Sequence, residues 1–380
     1  MQGVTGKGTK ARQLLGSGKI GGMRIRALSL IVLTTVTLAA CGMAREDGRE
    51  DGDTAGQTQD PLAAEIERWS AFLHSKPENH GFWAQVKKDN QPVLARAEEA
   101  LRGGHRLLAM QRLANARANL ATAEYLSTRP AGQRKELAGF EAEWARMGDV
   151  LRADLKPSPS ALDGVRPAAL RALGEAALPQ VRAYYDASLE YARNTVPEEG
   201  LYYLGSAQAQ RELAELSRTL SAPSSRRAPP VRALAPDLDA LETEMLAAYR
   251  PPTSIDRHGE FIVASSTLKE ARELDAAGLR YGALLRYLEA ALRFAPLRKA
   301  PPPAPESKHL DDLEARLAAG DVDHSLGQLF LEMARANPDT AAAIATDVLP
   351  RYFAAIEPAR SEPPQPEPRV TVTLVRWPYT

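Results

Sequence analysis

Between residues 62 and 357 the sequence is dominated by Ala, Leu, Arg and Glu, and this bias limits the fold more than any other feature. These residue types favour helices, whereas Val, Ile and Thr are sparse outside the two ends of the chain. The 28 prolines cluster between the helical stretches, where they act as breaks. The chain is therefore predicted to be all-α, with stacked helical hairpins joined by proline-rich linkers.

Breaks in this pattern divide the chain into segments. The prolines also predict an interruption inside one of the helical stretches, at Pro179 within 165–194. The predicted segments are helical blocks at 62–220, 237–298 and 308–357, linkers at 221–236 and 299–307, and a proline-rich tail at 358–380.

Two stretches of the helical part, 94–117 and 268–291, align without a gap. In both, a glycine ends one helix and small residues recur on the next, where two helices must approach closely. The aligned identities are Leu94/Leu268, Ala97/Ala271, Glu99/Glu273, Gly104/Gly278, Arg106/Arg280, Ala109/Ala283, Arg112/Arg286 and Ala116/Ala290. This internal repeat predicts two equivalent helical hairpins.

The second copy resembles the tetratricopeptide repeat through the spacing of Gly278, Ala283, Tyr287 and Ala290. Its first helix lacks that family's Trp, Leu, Gly and Tyr pattern. The resemblance implies hairpins that stack side by side around a continuous core and leave an extended surface for binding. The match is limited to these half-motifs, so the predicted stack of hairpins is either tetratricopeptide-like or an irregular helical array.

The N-terminal stretch gives the clearest indication of where the protein is located. Arg24 and Arg26 precede an apolar run over 27–38 that is too short to span a membrane. The run ends in Leu-Ala-Ala-Cys at 38–41, which resembles the lipobox of bacterial lipoproteins. That resemblance implies removal of a signal peptide at 1–40, lipidation of Cys41 and anchoring of the chain to membrane lipid. Because no Asp follows Cys41, it also implies the outer membrane, with the protein facing the periplasm.

Two further features belong to this end of the chain. A start at Met23 would give a signal of ordinary length, so we expect translation to begin there. Residues 44–61 are acidic and contain no large apolar residue, so 41–61 is predicted to form a flexible tether.

Composition excludes several classes of function. The 48 basic and 48 acidic residues balance, whereas nucleic-acid binding usually needs a basic face, so we expect no nucleic-acid partner. With a single cysteine, Cys41, the chain has no disulfide framework and no cysteine-based metal site. The six histidines form no zinc motif and the adjacent carboxylate pairs do not converge. We therefore expect no metal, no cofactor and no enzymatic activity.

Candidate binding residues occur in two places. Tyr184, Tyr191 and Tyr202 belong to a tyrosine cluster that either packs between helices or forms a recognition surface, since tyrosine is favoured at interfaces. In the tail, 369–377 alternates like a short strand. This strand either pairs within the chain or adds to the sheet edge of a partner through Val370, Val372, Leu374 and Trp377.

These observations together favour a lipid-anchored envelope scaffold or adaptor that binds other envelope proteins through its helical surface. A periplasmic small-ligand receptor that uses the tyrosines is the main alternative, and a cell-wall hydrolase is the third. The composition does not identify the partner or the ligand.

Overall fold

The computed structural model describes residues 60–78, 81–156, 158–298, 305 and 307–356, and the all-α prediction is confirmed for this part of the chain. The helices are α1 (Pro61–His74), α2 (Gly81–Arg102), α3 (Arg106–Thr128), α4 (Ala131–Lys135), α5 (Leu137–Leu151), α6 (Ala168–Asn194), α7 (Pro197–Thr219), α8 (Ala235–Ala248), α9 (His258–Ala276), α10 (Arg280–Phe294), α11 (Ser307–Ala318), α12 (Ser325–Ala336), α13 (Pro338–Ala343) and α14 (Leu349–Ile356). A π-helical turn, Ile344–Val348, joins α13 to α14.

The described residues contain no sheet, and their β-type pairing is limited to an isolated bridge between Arg227 and Val322. The strand predicted at 369–377 lies outside the described residues, as do the signal peptide at 1–40 and Cys41. Asp60 precedes α1, and its carboxylate accepts a hydrogen bond of 3.0 Å from the Leu62 amide and so caps this helix.

The two aligned stretches form the same local structure. Gly104 and Gly278 have φ of 80° and 77°, in the left-handed region that favours glycine. The amide of the following residue then reaches back to a carbonyl five residues earlier, from His105 to Ala100 and from Leu279 to Leu274. The aligned apolar residues are all buried, namely Leu94/Leu268, Ala97/Ala271, Ala109/Ala283 and Ala116/Ala290.

The long helices α6 and α7 form an antiparallel pair at the centre of the described body. The second helix of each repeat copy packs against this pair, α3 on α7 and α10 on α6, while α12 touches both α3 and α6. The two copies therefore pack mainly on different helices of the central pair, and Gln111 of α3 and Glu289 of α10 also meet at 3.4 Å.

The predicted interruption at Pro179 is wrong, because α6 runs unbroken from Ala168 to Asn194. A proline inside a helix removes one backbone hydrogen bond and introduces a clash. Here the neighbouring Leu178 and Val181 are fully buried in the body. Packing of the apolar face on both sides of the proline thus outweighs the local preference for a break.

One hydrophobic cluster extends from Leu62 to Ile356 and includes buried residues from all three predicted helical blocks. The segment 221–236 is non-helical up to Leu234, but it is held against the last block. Its Arg227 amide donates to the Asp321 carbonyl at 2.7 Å, and its Arg232 amide donates to the Ala355 carbonyl at 3.2 Å. The blocks therefore share one core, and the segment between them is a packed connection.

A carboxylate from another helix caps α10, the helix that follows Gly278. The first residues of α10 have no side-chain cap of their own. Glu175 of α6, which is fully buried, accepts hydrogen bonds from the Tyr281 and Gly282 amides at 2.9 and 3.0 Å. Arg171 pairs with its other oxygen at 2.6 Å. A negative charge at a helix N-terminus is favourable, so Glu175 fixes α10 against α6.

The starts of α3 and α6 are capped in the same way from α12 and the turn before it. The Glu332 carboxylate accepts a hydrogen bond from the Leu108 amide at 2.9 Å. Asp323, which is buried, accepts one from the Ala168 amide at 2.7 Å. Because these caps come from distant parts of the sequence, the positions of the helices depend on the complete body.

Candidate functional site

The tyrosine cluster forms where α6 and α7 lie side by side. The Tyr191 and Tyr203 rings stack with their centroids 4.3 Å apart, and the Tyr202 ring meets Tyr203 edge-on at 5.7 Å. Tyr184 lies two helical turns before Tyr191 on α6, with its ring 6.2 Å from that of Tyr203. Positions 184 and 191 share a helix face because they are seven residues apart. The hairpin then brings 202 and 203 opposite them.

The structure places the three predicted binding tyrosines differently. Tyr184 is buried, with 7% of its surface exposed, whereas Tyr191 and Tyr202 are half-buried. Burial raises the pKa of Tyr184 and of Tyr202, so both phenols stay protonated over the ordinary pH range. The cluster therefore packs two helices together and also presents part of its tyrosine surface to solvent.

A group of charged side chains lies beside these tyrosines. Arg286 and Glu289 on α10 pair at 2.7 Å, and Gln111 on α3 donates to Glu289 at 3.4 Å. Glu270 on α9 lies 3.2 Å from the Arg286 Nε atom. The charges of Glu270 and Arg286 both act on the Tyr184 hydroxyl. We call Tyr184, Tyr202, Glu270, Arg286 and Glu289 the central polar cluster.

One buried atom of the central polar cluster, Arg286 Nε, lacks a hydrogen-bond partner. The contact between Arg286 Nε and Glu270 is not aligned as a hydrogen bond, and the Nε atom is buried without a hydrogen-bond partner. Within the described residues the Glu270 carboxylate and the hydroxyls of Tyr184 and Tyr202 make no hydrogen bond to protein. The Glu270 side chain nevertheless exposes 33% of its surface, and that of Arg286 exposes 25%. Solvent or a ligand can therefore reach the cluster.

The charges of the central polar cluster act on Glu270 in both directions. Burial raises the pKa of Glu270, and the nearby Glu289 and Glu273 raise it further, while Arg286 and Arg293 oppose the rise. Arg286 lies close to both Glu270 and Glu289.

Sequence reasoning identified the tyrosines but missed Glu270, Arg286, Glu289 and Gln111. One signal was available on α10, where Arg286, Glu289 and Arg293 form a polar stripe on an otherwise apolar helix. The part played by α9 and α3 could not be foreseen, because it depends on how the two repeat copies flank α6 and α7.

The remaining candidates lie elsewhere or outside the described part. Cys41, Val370, Val372, Leu374 and Trp377 are not among the described residues. In the part of the chain that the structure describes, no group of His, Cys, Asp and Glu side chains has the arrangement of a metal site. No helix there is long and apolar enough to cross a membrane.

A groove of about 540 Å³ lies at the tip of the α8–α9 hairpin. Thr253, Asp256 and Arg257 from the connecting loop line one side, and Pro296 and Arg298 line the other. Arg257 already donates to the Pro296 carbonyl across it. Arg298, which lines this groove, is followed by residues outside the described part of the chain, and we assign no role to the groove.

Comparison of the chain with protein-family models, with curated proteins and with solved structures finds no match. The site is therefore interpreted from its own geometry.

Proposed function

We propose that this protein is a lipid-anchored adaptor of the cell envelope that binds another envelope protein through its helical body. The Leu-Ala-Ala-Cys motif supports an anchor at Cys41, on the outer membrane and facing the periplasm. The acidic segment at 41–61 would then hold the body about 25 Å from the bilayer, if it behaves as a flexible chain. Paired helices of the kind found in tetratricopeptide-repeat proteins offer extended surfaces for such binding.

The observation that carries this proposal is the central polar cluster. It combines partly exposed tyrosine with a carboxylate that accepts no hydrogen bond from the described residues. Tyr and Arg are enriched where proteins bind each other, and they commonly dominate the binding energy. Five helices supply the cluster and its Gln111 contact, so a partner would meet a rigid surface. The tail residues Val370, Val372, Leu374 and Trp377 are a second candidate contact in the same proposal.

The test is affinity capture from detergent-solubilised envelope with three versions of the protein. The intact lipoprotein is expected to retain a specific partner, which mass spectrometry identifies. A version ending at Glu357 tests the tail, and Tyr202→Ala tests the helical surface. Cys41→Ser serves as the control for the anchor, since it should leave the membrane fraction and still bind in solution.

Each outcome has a defined meaning. Loss of the partner only with the shortened chain would place the contact in the tail. Loss only with Tyr202→Ala would place it on the helical body. The adaptor function would be rejected if the intact protein retained no specific partner, and a ligand-induced shift in melting temperature would then support the small-ligand receptor.

A further inference from the structure

The turn between α8 and α9 carries a high concentration of exposed apolar surface. Within the described residues, six large apolar side chains are exposed, and three of them fall between positions 246 and 262. These three are Leu246 at 59%, Ile255 at 60% and Ile262 at 47%. No residue of 250–260 is buried, so this end of the hairpin projects from the body. We call Leu246, Ile255 and Ile262 the hairpin tip.

The hairpin tip lies around an aromatic pair. The Tyr249 and Phe261 rings stack with their centroids 4.2 Å apart and so join the end of α8 to the start of α9. Leu246 lies three residues before Tyr249. Ile262 directly follows Phe261, and Ile255 belongs to the loop between the two helices. The stack therefore fixes the positions from which the three exposed side chains project.

Polar groups of the loop form hydrogen bonds with one another. The Arg250 amide donates to the Ser254 Oγ atom, and the Thr253 hydroxyl donates to the Arg250 carbonyl, both at 2.7 Å. The Ile255 amide donates to the Pro252 carbonyl at 3.2 Å. An apolar medium penalises unpaired polar groups, so this pairing lowers the cost of moving the loop out of water.

The formal charges of 246–262 cancel. With His258 neutral, Arg250 and Arg257 balance Asp256 and Glu260. A binding site for a strongly charged partner would need a net charge of the opposite sign. Burial of the hairpin tip in an apolar layer needs only apolar area.

The lipid bilayer is the apolar layer within reach of this surface. Once Cys41 is lipidated, the segment 41–59 ties α1 to the bilayer, and it can extend to about 60 Å. A folded body of this size is about 50 Å across, so the segment allows the hairpin tip to reach the bilayer. Tethering also keeps the bilayer at a high effective concentration, so a weak contact is sufficient.

We propose that the hairpin tip inserts into the surface of the lipid bilayer, as a second contact beside the acyl anchor. The inference rests on the proposed function for the anchor, but not for the affinity of the tip for lipid. Leu246, Ile255 and Ile262 enter the boundary between headgroups and acyl chains. The contact holds the body in one orientation on the membrane. Without the anchor it is weak, so Cys41→Ser is still released from washed membranes.

The first experiment uses the chain from residue 41 onward with Cys41→Ser, which has no acyl chain and no other cysteine. Gly259→Cys then places a single thiol beside the hairpin tip for an environment-sensitive dye. Gly132→Cys on α4 is the matched control, because an added Cβ meets no atom within 4 Å at either glycine. Titration with excess phosphatidylcholine vesicles is expected to brighten and blue-shift the dye at position 259 and to leave the dye at 132 unchanged.

A second titration tests whether the contact is apolar. Vesicles of phosphatidylcholine mixed with phosphatidylglycerol carry negative charge, and added salt screens it. Because the charges of 246–262 cancel, the affinity should change by less than about twofold between the two kinds of vesicle and on addition of salt. Binding that requires phosphatidylglycerol, or that is lost with salt, would contradict the proposal.

Variants of the labelled chain make the site specific. Ile255→Ser and Leu246→Ser should each weaken vesicle binding about fivefold, because each removes a large apolar side chain from the contact. Val196→Ser is the matched control, since this side chain between α6 and α7 is 50% exposed and should leave the affinity within about twofold. The melting temperature of each variant shows whether it folds.

The proposal is overturned if the dye at 259 responds to vesicles no more than the dye at 132, or if folded Ile255→Ser and Leu246→Ser both bind as the unchanged chain does. It is also overturned if these variants instead abolish a dimer in size-exclusion chromatography, which would assign the tip to a second copy. A captured partner without a vesicle response would leave the adaptor standing and remove only the bilayer contact. Vesicle binding without any captured partner would do the reverse.

Discussion

Glu143 is a buried carboxylate that accepts hydrogen bonds from three other residues. It lies on α5 with 3% of its surface exposed and accepts hydrogen bonds from Tyr125 at 2.6 Å and from Arg129 and Arg146 at 2.7 Å. Its pKa is lowered to about 2, because these donors outweigh the effect of burial. The ionised form is thus strongly preferred in the folded protein.

This pKa predicts a loss of stability in acid. The folded-state pKa of Glu143 lies below its unfolded value, so its contribution is complete above pH 4.5 and is lost as the pH falls towards 2. Glu143→Gln should lower the free energy of unfolding at neutral pH by about 3 kcal/mol, because it leaves Arg129 without its buried counter-ion. Glu143→Gln should also make the free energy of unfolding depend less on pH between 4.5 and about 2.

Urea unfolding at a series of pH values measures both effects. Glu141→Gln is the matched control, since its side chain is 39% exposed and its pair with Arg193 lies at the surface. An equally flat pH profile for Glu141→Gln, or an unchanged profile for Glu143→Gln, would contradict the role given to Glu143.

The sequence predicts the helix around Glu143 but does not predict whether the Glu143 side chain is buried. Phe140, Met147 and Leu151 repeat at helical spacing, and Glu143 falls on the same face. A lone acid on an apolar face can reach solvent at the edge of a helix or be buried with partners. Tyr125 and Arg129 come from α3 and the turn after it, so the choice depends on tertiary packing.

At the scale of elements, close approach of two helices depends on Gly282. A Cβ atom at this position would lie 2.8 Å from the Ala176 amide nitrogen and 2.9 Å from the Glu175 carbonyl carbon. These are backbone atoms of α6, which cannot move without shifting the helix. The contact also allows the Gly282 amide to reach the Glu175 carboxylate.

Gly282→Ala should therefore lower the free energy of unfolding by about 2 kcal/mol, because α10 must move away from α6. Gly259→Ala provides the control, since a Cβ there meets no atom within 4 Å and α9 should be unchanged or slightly more stable. Chemical denaturation followed by circular dichroism gives both values. Equal stability of the two variants would show that α6 and α10 can separate without cost.

The glycines and prolines show which features of the helices can be predicted from the sequence. Gly104 and Gly278 predict helix ends correctly, because the left-handed backbone is a local requirement. Pro179 predicts a break that does not occur, because burial of the residues around it is a tertiary effect. Elements with a local cause could be predicted, while those decided by packing could not.

For the whole molecule, the shared core predicts cooperative unfolding. The buried residues of α11–α14 belong to the same cluster as buried residues of α1–α3 and α6–α10, and Asp323 and Glu332 cap helices of the first half. A chain comprising 60–305 should therefore lose its cooperative transition. A chain ending at Glu357 keeps the described contacts and serves as the control.

Differential scanning calorimetry distinguishes the two cases. The control is expected to give one transition, and the shorter chain a broad one or none. A sharp transition for 60–305 at a similar temperature would instead mean that the helical blocks fold independently. The sequence indicates blocks and linkers through changes in composition, but composition carries no information about whether neighbouring blocks share a core.

The distant caps also affect the order in which the native body can appear during synthesis. The Glu332 carboxylate lies 224 residues after the Leu108 amide, and Asp323 lies 155 residues after the Ala168 amide. The first turns of α3 and α6 therefore keep bare amides until α12 is available to cap them. Folding should then require nearly the whole body, and a chain that ends before α12 should remain open to proteases.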